Sequence, residues 1–155
     1  MTTVDKDFTA NAHERGQQLT AKMTRVNNDR AQRAKLLLQL RSAQKRFLNS
    51  KQHFALFLIK IDNILDVEQD FGISLSQNLM LTIAEKLAQL ITPDDCLVQL
   101  QNDEIALLKT QVSDSQSAIK IAHQLQARFR FSFQVQSYNI PCNCNIGISL
   151  QTQPK

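Results

Sequence analysis

The run Phe54-Ala55-Leu56-Phe57-Leu58-Ile59-Lys60-Ile61 constrains this chain more than any other stretch, because it is nearly continuous apolar sequence of strand length. Such a run predicts a central strand with neighbours on both edges and cover on both faces. Downstream, Leu75, Leu79, Ile83, Leu87 and Leu90 recur at three- and four-residue steps with Met80 and Ala84 beside them, and Pro93 stands just beyond. That spacing predicts a helix. Cys96 to Leu100 and Ile105 to Lys109 read as two strands joined by the polar turn Gln101-Asn102-Asp103-Glu104, a hairpin. Ser113 or Asp114 offers the cap of a second helix that buries Ala118, Ala122, Leu125 and Phe129, with Ile121 alongside. Strand-like segments over 131–136 and 143–150 follow.

The order strand, helix, strand, strand, helix, strand is the split βαβ arrangement of ferredoxin-like folds: an α+β class, antiparallel-rich, with helices packed on the sheet. At 155 residues and 43% hydrophobic content the chain can bury one ordinary core. The expected division is a polar lead-in over 1–20, a basic amphipathic helix over 21–52, a domain over 53–150 and a tail over 151–155.

Charge supports that division. Up to His53 there are eleven Lys or Arg against four acids, and from Phe54 onward seven against ten. Between Lys22 and Lys51 the only acid is Asp29, while Leu36, Leu40, Ala43 and Phe47 form an apolar stripe, with Ala34 and Leu37 alongside. This helix docks on its own domain, self-associates through the stripe, or offers its charge to nucleic acid or an anionic surface. No aromatic residue is interleaved with the bases, which weighs against stacking on single strands.

Other chemistry is sparse. The apolar runs are too short to cross a bilayer and the start lacks the order of a secretory signal, so a cytoplasmic protein is expected. Cys96, Cys142 and Cys144 lack paired CxxC spacing and read as reduced, packed thiols, with Cys142 and Cys144 on one strand face. His13, His53 and His123 have no mutual spacing suited to a metal. With only three glycines, phosphate-cradling loops are not expected, and no GxGxxG, Walker, nucleophile-elbow or HExxH motif is found. Asp62 and Asp66 read as a solvated acidic pair on a short turn after the first strand.

The hairpin Leu100-Gln101-Asn102-Asp103-Glu104-Ile105 resembles the RxGGDEF hairpin of diguanylate cyclases. Met23 to Asn28 is similar to their LTGLPN segment, Asp70-Phe71-Gly72 to the tyrosine and glycine before a conserved histidine, and Asn145-Ile146-Gly147-Ile148-Ser149 to SIGIA. The order holds from about Ala21 to Leu150. The resemblance implies a nucleotide-cyclase palm, and its departures imply a catalytically inactive one. Lys60 stands where the family's first metal-holding aspartate is expected, with the second kept as Asp62. Like charges about 4 Å apart repel by several kcal/mol at a protein-like effective dielectric. Glu68 and Gln77 occupy the guanine-contacting positions, where Gln77 offers no carboxylate. Gln101 and Asn102 replace the two glycines and put side chains where phosphate would approach. Thr92 replaces the arginine of the inhibitory site, leaving Asp95.

Of the signature, Asp103 and Glu104 remain. The resemblance suggests that Asp103 pairs with the Lys60 ammonium; alternatively Asn102 and Asp103 are kept for positive φ in a tight turn. Family domains usually continue past the last strand with a helix that contacts phosphate, whereas this sequence ends at Gln151 to Lys155. Apolar surface uncovered there is expected to meet the basic helix, a second copy or another protein. The expectation is therefore a regulatory or protein-contacting module of cyclic di-GMP signalling with no cofactor and no bound metal. A non-catalytic sensor of GTP or cyclic di-GMP, and a nucleic-acid-associated protein using the basic helix, are the alternatives.

Overall fold

The computed structural model describes residues 30–151. The lead-in over 1–20 with His13, the segment Met23 to Asn28, and the tail after Gln151 lie outside the described residues. Residues 30–50 form a helix, α1. It is followed by β1 (Phe54–Ile61), α2 (Ile64–Phe71), α3 (Ile73–Ala88), β2 (Cys96–Gln101), β3 (Glu104–Thr110), α4 (Ser115–Ala127), β4 (Phe133–Val135), β5 (Tyr138–Ile140) and β6 (Cys144–Gln151).

The main sheet has the order β2-β3-β1-β6, all pairs antiparallel, with β1 in the interior as its composition requires. Alternation along β1 separates two layers. Ala55, Phe57, Ile59 and Ile61 are 0–1% exposed and join α2, α3 and α4 in one core. Phe54 and, partly, Leu56 lie on the other face, where they meet Leu36 and Ala43 of α1 together with Cys96, Val98, Ala106 and Leu108. Cover on that face is incomplete, because Leu58 is 39% exposed and Lys60 is exposed. The basic helix docks on its own domain through the expected stripe, with Leu40 and Phe47 partly buried beside Leu36 and Ala43. Ala34 and Leu37 do not join them. They lie about 100° or more around the helix from Leu36 and are exposed.

Local chemistry explains several boundaries. The Asp114 carboxylate accepts from Ser117 N–H at 2.7 Å, so Asp114, not Ser113, caps α4. Gly72, at φ 96° and ψ 166°, ends α2 and starts α3, a backbone conformation accessible essentially to glycine alone. Leu90 packs against the core from just beyond α3.

Two elements differ from the sequence reading. The segment after β1 is not merely a turn: Asn63 takes a left-handed conformation (φ 63°), its Nδ2 donates to Pro141 O at 3.1 Å, and α2 follows with Ile64 and Val67 buried. Asp62 and Asp66 are exposed, as expected. The strand read over 131–136 is shorter and pairs with β5 in a separate two-stranded hairpin, turning at Gln136 with φ 55°. Among the described residues no helix is long and apolar enough to cross a membrane.

Candidate functional site

The β2–β3 hairpin brings Gln101, Asn102 and Asp103 to one end of the sheet. A cleft of about 380 Å³ opens there, lined by these three residues, by Ile64, Leu65 and Glu68 of α2, and by Arg33 of α1. The sequence reading singled out the turn and Glu68 but missed Arg33, Ile64 and Leu65. Arg33 precedes Leu36 by one helical turn, so periodicity held the signal, but only a docked α1 brings that guanidinium to the hairpin.

The remaining positions lie outside this lining. Lys60 is exposed and stands opposite Glu104 on β3 and Asn145 on β6. No ion pair joins Lys60 to Asp103, contrary to the pairing expected from the sequence. Register is the reason. Asp103 O accepts from Ile61 N–H at 2.8 Å, so Asp103 is the neighbour of Ile61, and a one-residue offset in a sheet turns a side chain to the opposite face. Nor do Asn102 or Asp103 adopt positive φ; among the non-glycine residues described, Lys51, Asn63, Gln111 and Gln136 do. The exposed carboxylate of Asp62 lies 3.5 Å from Asn145 Nδ2. Gln77 sits half-buried on α3, and Glu68 half-buried on α2.

Asp95 lies at the other end of the hairpin, where β2 starts and β3 ends. Its side chain is 0% exposed. Oδ2 accepts from Lys109 Nζ and from Thr92 N–H, both at 2.8 Å, and Oδ1 accepts from Thr110 N–H at 2.9 Å and Thr110 Oγ1 at 3.1 Å. Burial by itself raises the pKa of this carboxyl. The hydrogen bonds from Lys109, Thr92 and Thr110, with the Lys109 charge, outweigh it and hold the group below its ordinary value. Asp95 thus ties the loop before β2 to the end of β3, and Thr92 contributes through its backbone.

Comparison with known proteins decides the family. The sequence model described as "Diguanylate cyclase, GGDEF domain" matches residues 18–155. This chain belongs to the GGDEF family. Membership links the domain to cyclic di-GMP signalling. Comparison with curated proteins gives no match. The fold is similar to the GGDEF domain of PA1120 (TpbB or YfiN) from Pseudomonas aeruginosa, at 18% identity and TM-score 0.67 over 74% of this chain and 69% of that one. A sensory box/GGDEF family protein from Caulobacter crescentus gives 18% identity and TM-score 0.67 over 73% of each chain. The diguanylate cyclase SiaD of Pseudomonas aeruginosa, solved with its activator SiaC, gives 16% identity and TM-score 0.70 over 97% of this chain and 62% of that one.

In this GGDEF domain the three thiols are packed. Cys96 and Cys142 are buried, Cys144 is half-buried, and all are free. Burial pushes the Cys142 and Cys144 thiols up to about 11, helped at Cys144 by the negative charge of Asp62; burial also raises Cys96. A thiol with a pKa near 11 has a thiolate fraction of about one in a thousand at pH 8. Labelling of Cys142 and Cys144 by a disulfide reagent at that pH is therefore expected to be about a hundredfold slower in the folded domain than in denaturant. Equal rates would mean that these cysteines are open to solvent.

Proposed function

We propose that this GGDEF domain is catalytically inactive and works as a regulatory module that contacts protein partners in cyclic di-GMP signalling. The observation that carries the reading is Lys60, an exposed ammonium at the position where the family resemblance expects a metal-holding carboxylate. Among the described residues no set of three or more His, Cys, Asp or Glu side chains is placed to hold a metal ion. The donors present do not fit the divalent cations that a triphosphate substrate brings with it, which need carboxylate oxygens. Gln101 and Asn102 at the hairpin tip add side chains where backbone alone would approach phosphate. The protein activator solved with the structurally similar SiaD supports protein contact as a way for such a module to act.

A non-catalytic nucleotide sensor is the second reading, favoured by the persistence of the cleft beside Gln101 to Asp103 and by Arg33 at its edge. One set of measurements separates the two. Incubation with GTP and magnesium or manganese, followed by chromatography, is expected to give no cyclic di-GMP, and titration calorimetry with GTP and cyclic di-GMP is expected to give no saturable heat. Saturable heat with a defined stoichiometry favours the sensor; formation of the cyclic dinucleotide overturns both.

A further inference from the structure

We infer that the outward ridge of α1 is a docking surface for an anionic lipid bilayer, on which the domain rests with that helix lying in the membrane plane. Contact with the sheet uses one side of α1, through Leu36, Leu40, Ala43 and Phe47. The opposite side is not a plain polar back. Arg30, Leu37, Leu38, Arg41, Lys45 and Leu48 recur along it at helical spacing, and all six are exposed. The three leucines are 55–70% exposed. One such leucine would mean little, but three on a single ridge form a patch that solvation alone does not favour.

Charge decides what meets this ridge. Seven Lys or Arg and no acid lie between Arg30 and Lys51, and the next acid along the chain is Asp62. Among the described residues Arg30, Arg41 and Lys45 have no ion-pair partner. The occupant must therefore be negative along the whole helix and yet accept apolar side chains between the charges. A bilayer with anionic headgroups does both. Leucines enter the acyl region just beneath the phosphates, while the long stems of Arg and Lys carry their charges back up to the headgroups. Leu37 and Leu48 are eleven residues apart, three turns and about 16 Å along the axis, so both point the same way with Arg41 and Lys45 between them. A nucleic acid matches the charge but sets three leucines against a polar backbone. A protein would have to supply acids and an apolar groove at fixed spacing, a match that a fluid bilayer does not require.

Sedimentation of the full chain with vesicles tests this, using phosphatidylcholine alone and phosphatidylcholine with about one-third phosphatidylserine, at about 0.1 M salt. Binding is expected to the anionic vesicles only, and to fall as salt rises. Arg41→Glu with Lys45→Glu is expected to weaken it by at least about twentyfold, since each cation near such a surface contributes about fivefold. Leu37→Gln, Leu38→Gln and Leu48→Gln together leave the charge unchanged and are expected to weaken it by about tenfold or more. Lys120→Glu, at an exposed position of α4 across the sheet, is expected to change it by less than about twofold, being screened at that distance. The chain has no tryptophan, so Leu48→Trp reports insertion directly, as a blue shift of emission with anionic vesicles and none with phosphatidylcholine. All these positions are exposed, so circular dichroism of each variant should match wild type; should a multiple variant fail to fold, the Leu48→Trp emission decides. No binding to the anionic vesicles overturns the inference, including where the ridge variants instead abolish binding to a DNA duplex. Binding that survives the leucine changes, or falls equally with Lys120→Glu, is attraction of net charge alone and equally overturns it. So does unshifted Leu48→Trp emission in vesicle-bound protein.

Discussion

Asp95→Ala is expected to lower the unfolding free energy by about 3 kcal/mol at neutral pH, near the lower end of what removing one partner of a buried ion pair costs. For a domain of this size that corresponds to a fall in Tm of roughly 10 °C. The loss has several parts because the carboxylate serves several donors. Without it, the Lys109 ammonium, 18% exposed, loses its counter-charge, and the N–H groups of Thr92 and Thr110 lose their acceptor. Asp95→Asn keeps one acceptor oxygen and is expected to cost less, about 1–2 kcal/mol.

The pH dependence separates this from simple loss of packing. The carboxyl is held below its ordinary pKa in the folded state, so its contribution is fully present above the unfolded value, near 4, and disappears as pH falls through the lower folded value. The difference in stability between wild type and Asp95→Asn should therefore be constant from neutrality down to about pH 4 and close below it. A difference that persists unchanged into strong acid would show that charge is not what holds the loop.

How much of this the sequence carried depended on range. β1, α3 and the β2–β3 hairpin rest on patterns within one element, such as the apolar run at Phe54 or the steps from Leu75 to Leu87, and they appear where expected. Asp95 is different. Three of its four hydrogen bonds come from Lys109 and Thr110, fourteen and fifteen residues away, so hairpin register had to be known before a lone acid could be read as a structural anchor. The Lys60 to Asp103 pairing failed at the same step, since the sequence supplied the right two strands but not an alignment good to one residue. The start of α2 turned on the left-handed φ of Asn63 and its bond to Pro141, seventy-eight residues on. At the site, the turn and Glu68 were visible as motif positions, whereas Arg33 became part of the cleft only through the packing of α1.

Ala43→Lys tests that packing and is expected to be the second large perturbation. Ala43 is 2% exposed and Ala106 0%, both in the layer where α1 crosses the sheet with Leu36, Val98 and Leu108. A lysine there must leave an ammonium buried without a partner or lift the helix, and either outcome costs several kcal/mol, about 2–4 in urea unfolding. Leu38→Lys, on the same helix but at a position 65% exposed, is expected to stay within about 0.5 kcal/mol of wild type. Cysteine labelling locates the damage. Cys96 lies under α1, whereas Cys142 belongs to the core on the other side of the sheet. Lifting α1 should speed the labelling of Cys96 and leave Cys142 slow, at every protein concentration. If the effect appears only at concentrations where copies associate, the apolar stripe of α1 serves contact between chains rather than its own sheet, and the placement of Arg33 beside Gln101, Asn102 and Asp103 loses its support.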